Sequence, residues 1–299
     1  LYPRRSFTIG GVPTPSPSPS SPGPSPTPSP TGTAPSPSGS PPVSPVPSAH
    51  GCATDPGRCG YPTTATTGVP AGKALTVVNG GTTIATNGAV IQGEEIHGCV
   101  DVRAANVTIR NTRIVGPCAY GVSTYSASGT TTIDHVEITC VDGRGTGIAG
   151  PDFAATAVYV HDCENGLEIN NNSSITDSVI SAREGTSSAH GDGIQSQDGN
   201  NVVIRHNTLL ETNPVTSAII TNPTLNNDWL VEQNFLGGGA YTFYCPEQGT
   251  GFVVRDNRFA PAKSGSAYSA EYGLTDACNH AGITWTGNYL DTDGSRVGP

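Results

Sequence analysis

The sequence predicts an all-β chain whose folded part is a solenoid of parallel strands. Three observations carry that expectation. Among 299 residues, 38 are Gly, 26 are Pro, none is Met and only 13% are charged, a composition that excludes coiled coils and helical bundles. Eight segments of eight residues share one apolar pattern and stack on it. Their starts lie 17 to 31 residues apart, too close for a strand, a helix and a second strand each time, but enough for one coil of short parallel strands and loops.

In chain order, residues 1–11 (LYPRRSFTIGG) are too few to fold alone and read as the remnant of a preceding domain or as an added segment. Residues 12–50 form a Pro/Ser/Thr-rich linker, since 15 of the 26 prolines fall within 12–47 and alternate with Ser and Thr. Proline fixes φ and nothing apolar is available to bury, so a disordered, extended tether of about 3 Å per residue is expected. The solenoid domain then occupies 51–299. It holds all eight cysteines, an even set without a Cys-x-x-Cys pair or zinc-finger spacing, which points to four disulfides and a secreted, extracellular protein. Sequence order suggests Cys52 with Cys59, Cys140 with Cys163 and Cys245 with Cys278, which leaves Cys99 with Cys118.

The stacked segments are VTIRNTRI from Val107, TTIDHVEI from Thr131, TAVYVHDC from Thr156, SSITDSVI from Ser173, VVIRHNTL from Val202, WLVEQNFL from Trp229, FVVRDNRF from Phe252 and ITWTGNYL from Ile283. Their third and eighth positions are expected to face inward. At the fourth, Arg205, Glu232 and Arg255 follow one another, so coils about 4.8 Å apart would join them in a charge ladder. The sixth position ends Asn207, Asn234, Asn257, Asn288. Amides repeated at one turn can pass hydrogen bonds from coil to coil while holding a tight bend.

Acidic residues outnumber basic ones 24 to 14, for a net charge of -10, so neither nucleic acid nor an anionic membrane has an electrostatic footprint here. No run of 18 apolar residues is present to span a bilayer. The repeat, the Asn ladder and the entry segment CGYPTTATTGVPAGKALT, followed by GAVIQGEEIHGCVDVRAANVTIRNTRIVG, make residues 52–292 similar to secreted actinobacterial right-handed parallel β-helix proteins of the pectate-lyase-like superfamily. The resemblance implies a right-handed parallel β-helix with a polysaccharide as partner. It leaves activity open, because that superfamily includes lyases, hydrolases, epimerases, adhesins and phage spikes. Two departures matter: the Gly-His and paired-Asp signature of polygalacturonase-type hydrolases and the Arg-x-Pro-x-x-Arg motif of pectate lyases are both missing.

In such folds substrates lie along a groove on one parallel sheet, supplied here by GVSTY from Gly121, GIAG from Gly147, GLEIN from Gly166, DGIQS from Asp192 and SAIITN from Ser217. With Val122, Ile148, Leu167 and Ile194 pointing in, alternation places Ser123, Ala149, Glu168 and Gln195 outside on adjacent rungs. The densest polar cluster, REGTSSAHGDGIQSQDGN from Arg183 to Asn200, enters this sheet. In one reading His190 and Asp192 transfer protons, Arg183 neutralises a uronate carboxylate, and Glu168, Gln195, Asp198 and Tyr244 hold the sugar. In the other, His190 and Asp192 merely bond turn backbone while Gly191 and Gly193 let the chain enter the sheet. Stacking candidates are Tyr125, Tyr241, Tyr244, Tyr268 and Tyr272, whereas Trp229 and Trp285 take inward positions.

Three functions are therefore expected of a monomer tethered to another domain: a polysaccharide lyase acting by β-elimination, a non-catalytic carbohydrate-binding or surface-display β-helix, and a glycoside hydrolase using Glu168 with Asp192. After the linker 12 Lys and Arg stand against 24 Asp and Glu, leaving few cations to meet a polyanion. Calcium is the cofactor such chemistry could call on.

Overall fold

The computed structural model describes residues 50–183, 190–196, 198–211, 214–221, 225–261, 268 and 270–299. The expected tether before His50, and Glu184, Gln197 and Lys263, lie outside the described residues. The fold is an all-β right-handed parallel β-helix with nine coils among the described residues. Each coil gives one strand to a nine-stranded sheet, here sheet II: Thr82–Ile84, Val100–Val102, Tyr120–Ser123, Thr146–Gly150, Asn165–Ile169, Asp192–Ser196, Ser217–Ile220, Tyr241–Tyr244 and Gly273–Asp276. The rest of each coil forms sheet I, whose seventeen strands pair in parallel across a bend.

Two apolar rows run up sheet I. One is Ile109, Ile133, Ala155, Ile175, Ile204, Val231 and Val254, the other Ile114, Ile138, Val160, Ile180, Leu209, Leu236 and Phe259, and all are buried. At the ends their continuations, Ile91 before Ile109 and Trp285 and Leu290 in the last coil, become half-exposed. The third stacked segment, in the fifth coil, departs from the stacking on TAVYVHDC. Ala155, not Val158, pairs with Ile133 and Ile175, and Val160, not Cys163, pairs with Ile138 and Ile180. The segment is thus FAATAVYV from Phe153, three residues earlier, which puts Thr156 instead of Tyr159 in the fourth row, its hydroxyl 3.1 Å from that of Thr176.

The bend across sheet I explains both the slip and the ladder. The fifth position is left-handed in every stacked coil: Asn111, His135, Ala157, Asp177, His206, Gln233 and Asp256 all have φ of 48° to 56°, and Gly287 has 69°. Asn, Asp, His and Gly tolerate that conformation, and only Gln233 and Ala157 carry no sign of it. At the next position, where the bend leaves backbone groups unpaired, Asn234 Oδ1 accepts from Asn207 N at 2.9 Å and Asn207 Nδ2 at 3.0 Å, while Asn234 Nδ2 donates to Ile204 O at 2.9 Å and Asn257 Oδ1 at 2.9 Å. Ser178 begins this ladder and Asn288 ends it. Replacing Asn234 by Ala should therefore cost about 2–3 kcal/mol, because a buried N–H and a carbonyl lose their partners. A denaturant midpoint unmoved by the substitution would show that the ladder carries no stability.

The expected charge ladder is present, with Glu232 bonded to both Arg205 and Arg255, the latter at 2.6 Å. A second ionic chain was not legible in the repeat: Glu95 and Glu137 each lie 3.1 Å from Arg113, His161 lies 3.5 Å from Glu137, and Asp162 bridges His161 at 2.7 Å and Arg183 at 3.2 Å. All four disulfides pair as sequence order suggested.

Residues 50–75 are a strap laid lengthwise over sheet I. It starts at the last coil, where Gly51 N donates to Asp291 O at 3.0 Å, passes the middle coils at Thr208, which donates to Pro62 O at 2.7 Å, and at Gly68, whose N donates to Ala157 O at 2.8 Å, and enters the first coil at Thr76. Under its beginning lies a closed polar cluster: Arg258 and Asp291, each 1% exposed, are 3.0 Å apart, with the guanidinium among the rings of Tyr61, Phe235 and Tyr289.

Candidate functional site

Sheet II carries its side chains in the register that alternation predicts. Val100, Val122, Ile148, Leu167, Ile194, Ile219 and Phe243 form one inward row, wholly buried. The next residues form the outward row Asp101, Ser123, Ala149, Glu168, Gln195, Ile220, Tyr244 and Asp276. Glu168 and Gln195 are adjacent rungs, as expected, and both are partly exposed.

Tyr125 follows the Ser123 rung and reaches two rungs along the axis, where its hydroxyl donates to Glu168 Oε1 at 2.6 Å. Its ring therefore passes over Ala149, which is 0% exposed although it points outward. Burial, then the neighbouring carboxylate, raises the Tyr125 phenol above its ordinary value, so at neutral pH it is a hydrogen-bond donor and not a base. Tyr120, which the sequence did not single out, packs against Tyr125 with ring centres 5.5 Å apart. Towards the other end, Tyr241 meets Tyr244 edge-on at 5.2 Å and Tyr272 at 5.8 Å. Tyr268 is a correction: it packs with Leu210 and the cluster of Cys52, Tyr61 and Phe235 on the strap side.

The polar cluster that precedes Ile194 is only partly brought together. Asp192 is 1% exposed, with its Oδ1 accepting from Ser217 Oγ at 2.6 Å and its own N donating to Asn165 Oδ1 at 3.0 Å. Burial pushes its carboxyl up to about 7, against the opposing bond from Ser217. Beside it lies Glu211, missed in the sequence, fully enclosed and held well above the ordinary carboxylate range by burial. Glu211 Oε2 accepts from Ala182 N at 2.8 Å, while its Oε1 has no hydrogen-bond partner among the described residues. His190 is exposed, and among the described residues no hydrogen bond or ion pair joins it to Asp192 or Arg183. Arg183 turns instead towards Asp162 of sheet I. Asp198 is exposed, and its carbonyl lies 3.1 Å from the Asn170 amide when that amide is turned to donate.

Charge is distributed unevenly between the sheets. The strands of sheet II contain Asp101, Glu168, Asp192 and Asp276 but no Lys, Arg or His. Those of sheet I hold Arg110, Arg113, Arg205, Arg255 and Arg258, and each has a side-chain partner there or next to it. Among the described residues no group of three or more His, Cys, Asp or Glu is gathered as metal ligands would be. Two cavities, of about 290 and 200 Å³, lie along the strap, lined in part by Lys73, Glu95 and Arg113 and by Pro62, Thr208 and Tyr268. They are gaps between strap and solenoid and contain none of the outward row of sheet II.

No protein-family model matches the chain, and no curated protein matches it. Among solved structures the chain is similar to the Dettilon tailspike protein (gp208), with 16% sequence identity and a TM-score of 0.39, over 72% of this chain and 55% of that one. The match thus spans little more than half the length of the tailspike.

Proposed function

We propose that the chain is an extracellular polysaccharide-binding β-helix whose ligand lies along the outward face of sheet II. The observation that carries this reading is the pair of tyrosine clusters on that face. Tyr120 and Tyr241 belong to one row of sheet II and stand five rungs apart, about 24 Å at one strand spacing per rung. Glu168 and Gln195 lie between them. Partly exposed rings at both ends offer apolar faces to sugar rings, and the polar side chains between accept and donate to hydroxyls. Four disulfides support an oxidising compartment, and the Pro/Ser/Thr-rich segment before residue 51 would serve as a tether to a neighbouring domain.

Binding without turnover is favoured over β-elimination by the placement of the groups that elimination would need. Asp192 is shut from solvent, Arg183 is engaged by Asp162, and the sheet II strands hold no cation to neutralise a uronate. A glycosidase pair of Glu168 and Asp192 meets the same obstacle, since only Glu168 reaches the surface. Replacing Tyr125 or Tyr244 by Ala should weaken retention on an insoluble glycan about fivefold each, the loss of roughly 1 kcal/mol of ring stacking. Affinity electrophoresis across a glycan panel tests this, and undiminished retention of the double variant would refute it. Unsaturated product appearing with the unsubstituted protein, and vanishing in His190→Ala, would restore the lyase reading.

A further inference from the structure

The two tyrosine clusters share more than their rings. Each has a carboxylate beside it: Glu168 under Tyr125, and Asp276 on the rung next to Tyr244, where burial first and then this charge raise the phenol. The other outward acid, Asp101, is neutralised by Arg103 at 2.7 Å. Glu168 receives only a neutral hydroxyl, and among the described residues neither Glu168 nor Asp276 has an ion-pair partner. They stand four rungs apart, about 19 Å along the axis. Meanwhile the arginines of the solenoid strands are committed to sheet I. An exposed face with aromatic rings, carboxylates and no cations in its strands is complementary to a ligand that alternates apolar ring faces with positive charge.

Resting on the glycan reading above, we propose that the polysaccharide bound by sheet II carries free amino groups, its ammonium nitrogens seated between a tyrosine face and the carboxylate of Glu168 at one end and of Asp276 at the other. An ammonium placed there donates a charge-assisted hydrogen bond to the carboxylate and gains the attraction of the ring quadrupole. A polyuronate meets the opposite: its carboxylates approach Glu168 and Asp276 with no arginine in the sheet to offset the repulsion. Carbohydrate ring stacking alone does not discriminate by charge, so the selectivity belongs chiefly to the two acids, with a smaller cation–π share from the tyrosines.

The test compares two ligands with the same backbone, a hexamer of β-1,4-linked glucosamine and its fully N-acetylated form, by calorimetry at pH 5.5. The amino hexamer should bind about tenfold more tightly at low salt, and the ratio should shrink towards one at high salt as the charges are screened. Glu168→Gln and Asp276→Asn, with melting checked to be unchanged, should each reduce that ratio severalfold. Equal or tighter binding of the acetylated hexamer overturns the proposal. If that binding is still lost in Tyr125→Ala and Tyr244→Ala, the glycan reading survives. Should neither hexamer, nor any neutral glycan or polyuronate, be retained, the glycan reading falls together with it.

Discussion

Replacing Asp291 by Ala should lower stability by about 3–5 kcal/mol, the cost of leaving a buried cation without its counter-ion. Arg258 is 1% exposed and has rings on several sides, so its charge cannot turn to water. Its Nη1 donates to Asp291 Oδ1 at 3.0 Å and its Nε to the Tyr289 hydroxyl at 3.1 Å. The same carboxylate also accepts from the backbone N of Cys52 at 3.0 Å and of Ala53 at 3.2 Å, which fastens the strap to the last coil. Two effects are thus superposed, and a second variant separates them. In Arg258→Met with Asp291→Leu the unpaired charge is gone, so most of the loss should be recovered. What remains measures the two strap bonds, and limited proteolysis after Arg58 should be faster in both variants than in the unsubstituted chain. A drop below about 1 kcal/mol in Asp291→Ala would mean that Arg258 finds another partner and that the clasp is incidental.

The fold is legible because a coil repeats its demands. The third and eighth positions must be apolar in each turn, and a ladder position favours one amide residue, so stacking the sequence on itself exposes both. Legibility fails where a position tolerates more than one solution. Ala157 takes the left-handed bend without being Asn, Asp, His or Gly, and the apolar Val158 and Cys163 then permit a false register three residues along. The strap leaves almost no trace in composition, since it binds through Pro62 O, Gly68 N and other main-chain groups that any residue supplies. On sheet II the outward row through Glu168 and Gln195 follows from simple alternation. Asp192 is different: its burial rests on partners from neighbouring coils, Ser217 and Asn165, that no local pattern announces. Glu211 did leave a signal: it occupies the tenth position of its coil, where other coils have Gly116, Cys140, Ala182 and Gly238.

Stability should fall as the pH is raised from about 5 to 8, and Asp192 with Glu211 should account for most of the fall. The Asp192 carboxyl, 3.8 in its ordinary state, is pushed up to about 7 by burial, so between those values the folded chain holds a proton that the unfolded chain has released. Raising the pH across that window therefore draws the equilibrium towards unfolding. The contribution is complete below the unfolded value and lost as the pH passes the folded one, about 4 kcal/mol for Asp192 alone at 1.4 kcal/mol per unit. Glu211 acts in the same direction, burial again outweighing the bond from Ala182 and the charge of Asp192 adding to it. So do His161 and His206. Burial lowers His161, but Glu137 and Asp162 raise it further, and Asp177 raises His206, so both favour the folded state only while protonated. At the acid end the sign reverses: Glu95, Glu137 and Asp162, each lowered chiefly by a histidine bond, lose their contribution as the pH falls below the ordinary carboxylate range. The optimum should consequently lie near pH 5. Melting temperatures from pH 4 to 9 would show it, and Asp192→Asn and Glu211→Gln should each remove a large part of the loss between pH 5 and 8. A flat or rising profile over that range would be incompatible with two buried, protonated carboxyls. The same variant also separates structural from chemical work at this position. An Asp192 that transfers protons to a sugar must reach solvent, and its replacement by Asn would abolish turnover while leaving the slope of melting against pH unchanged.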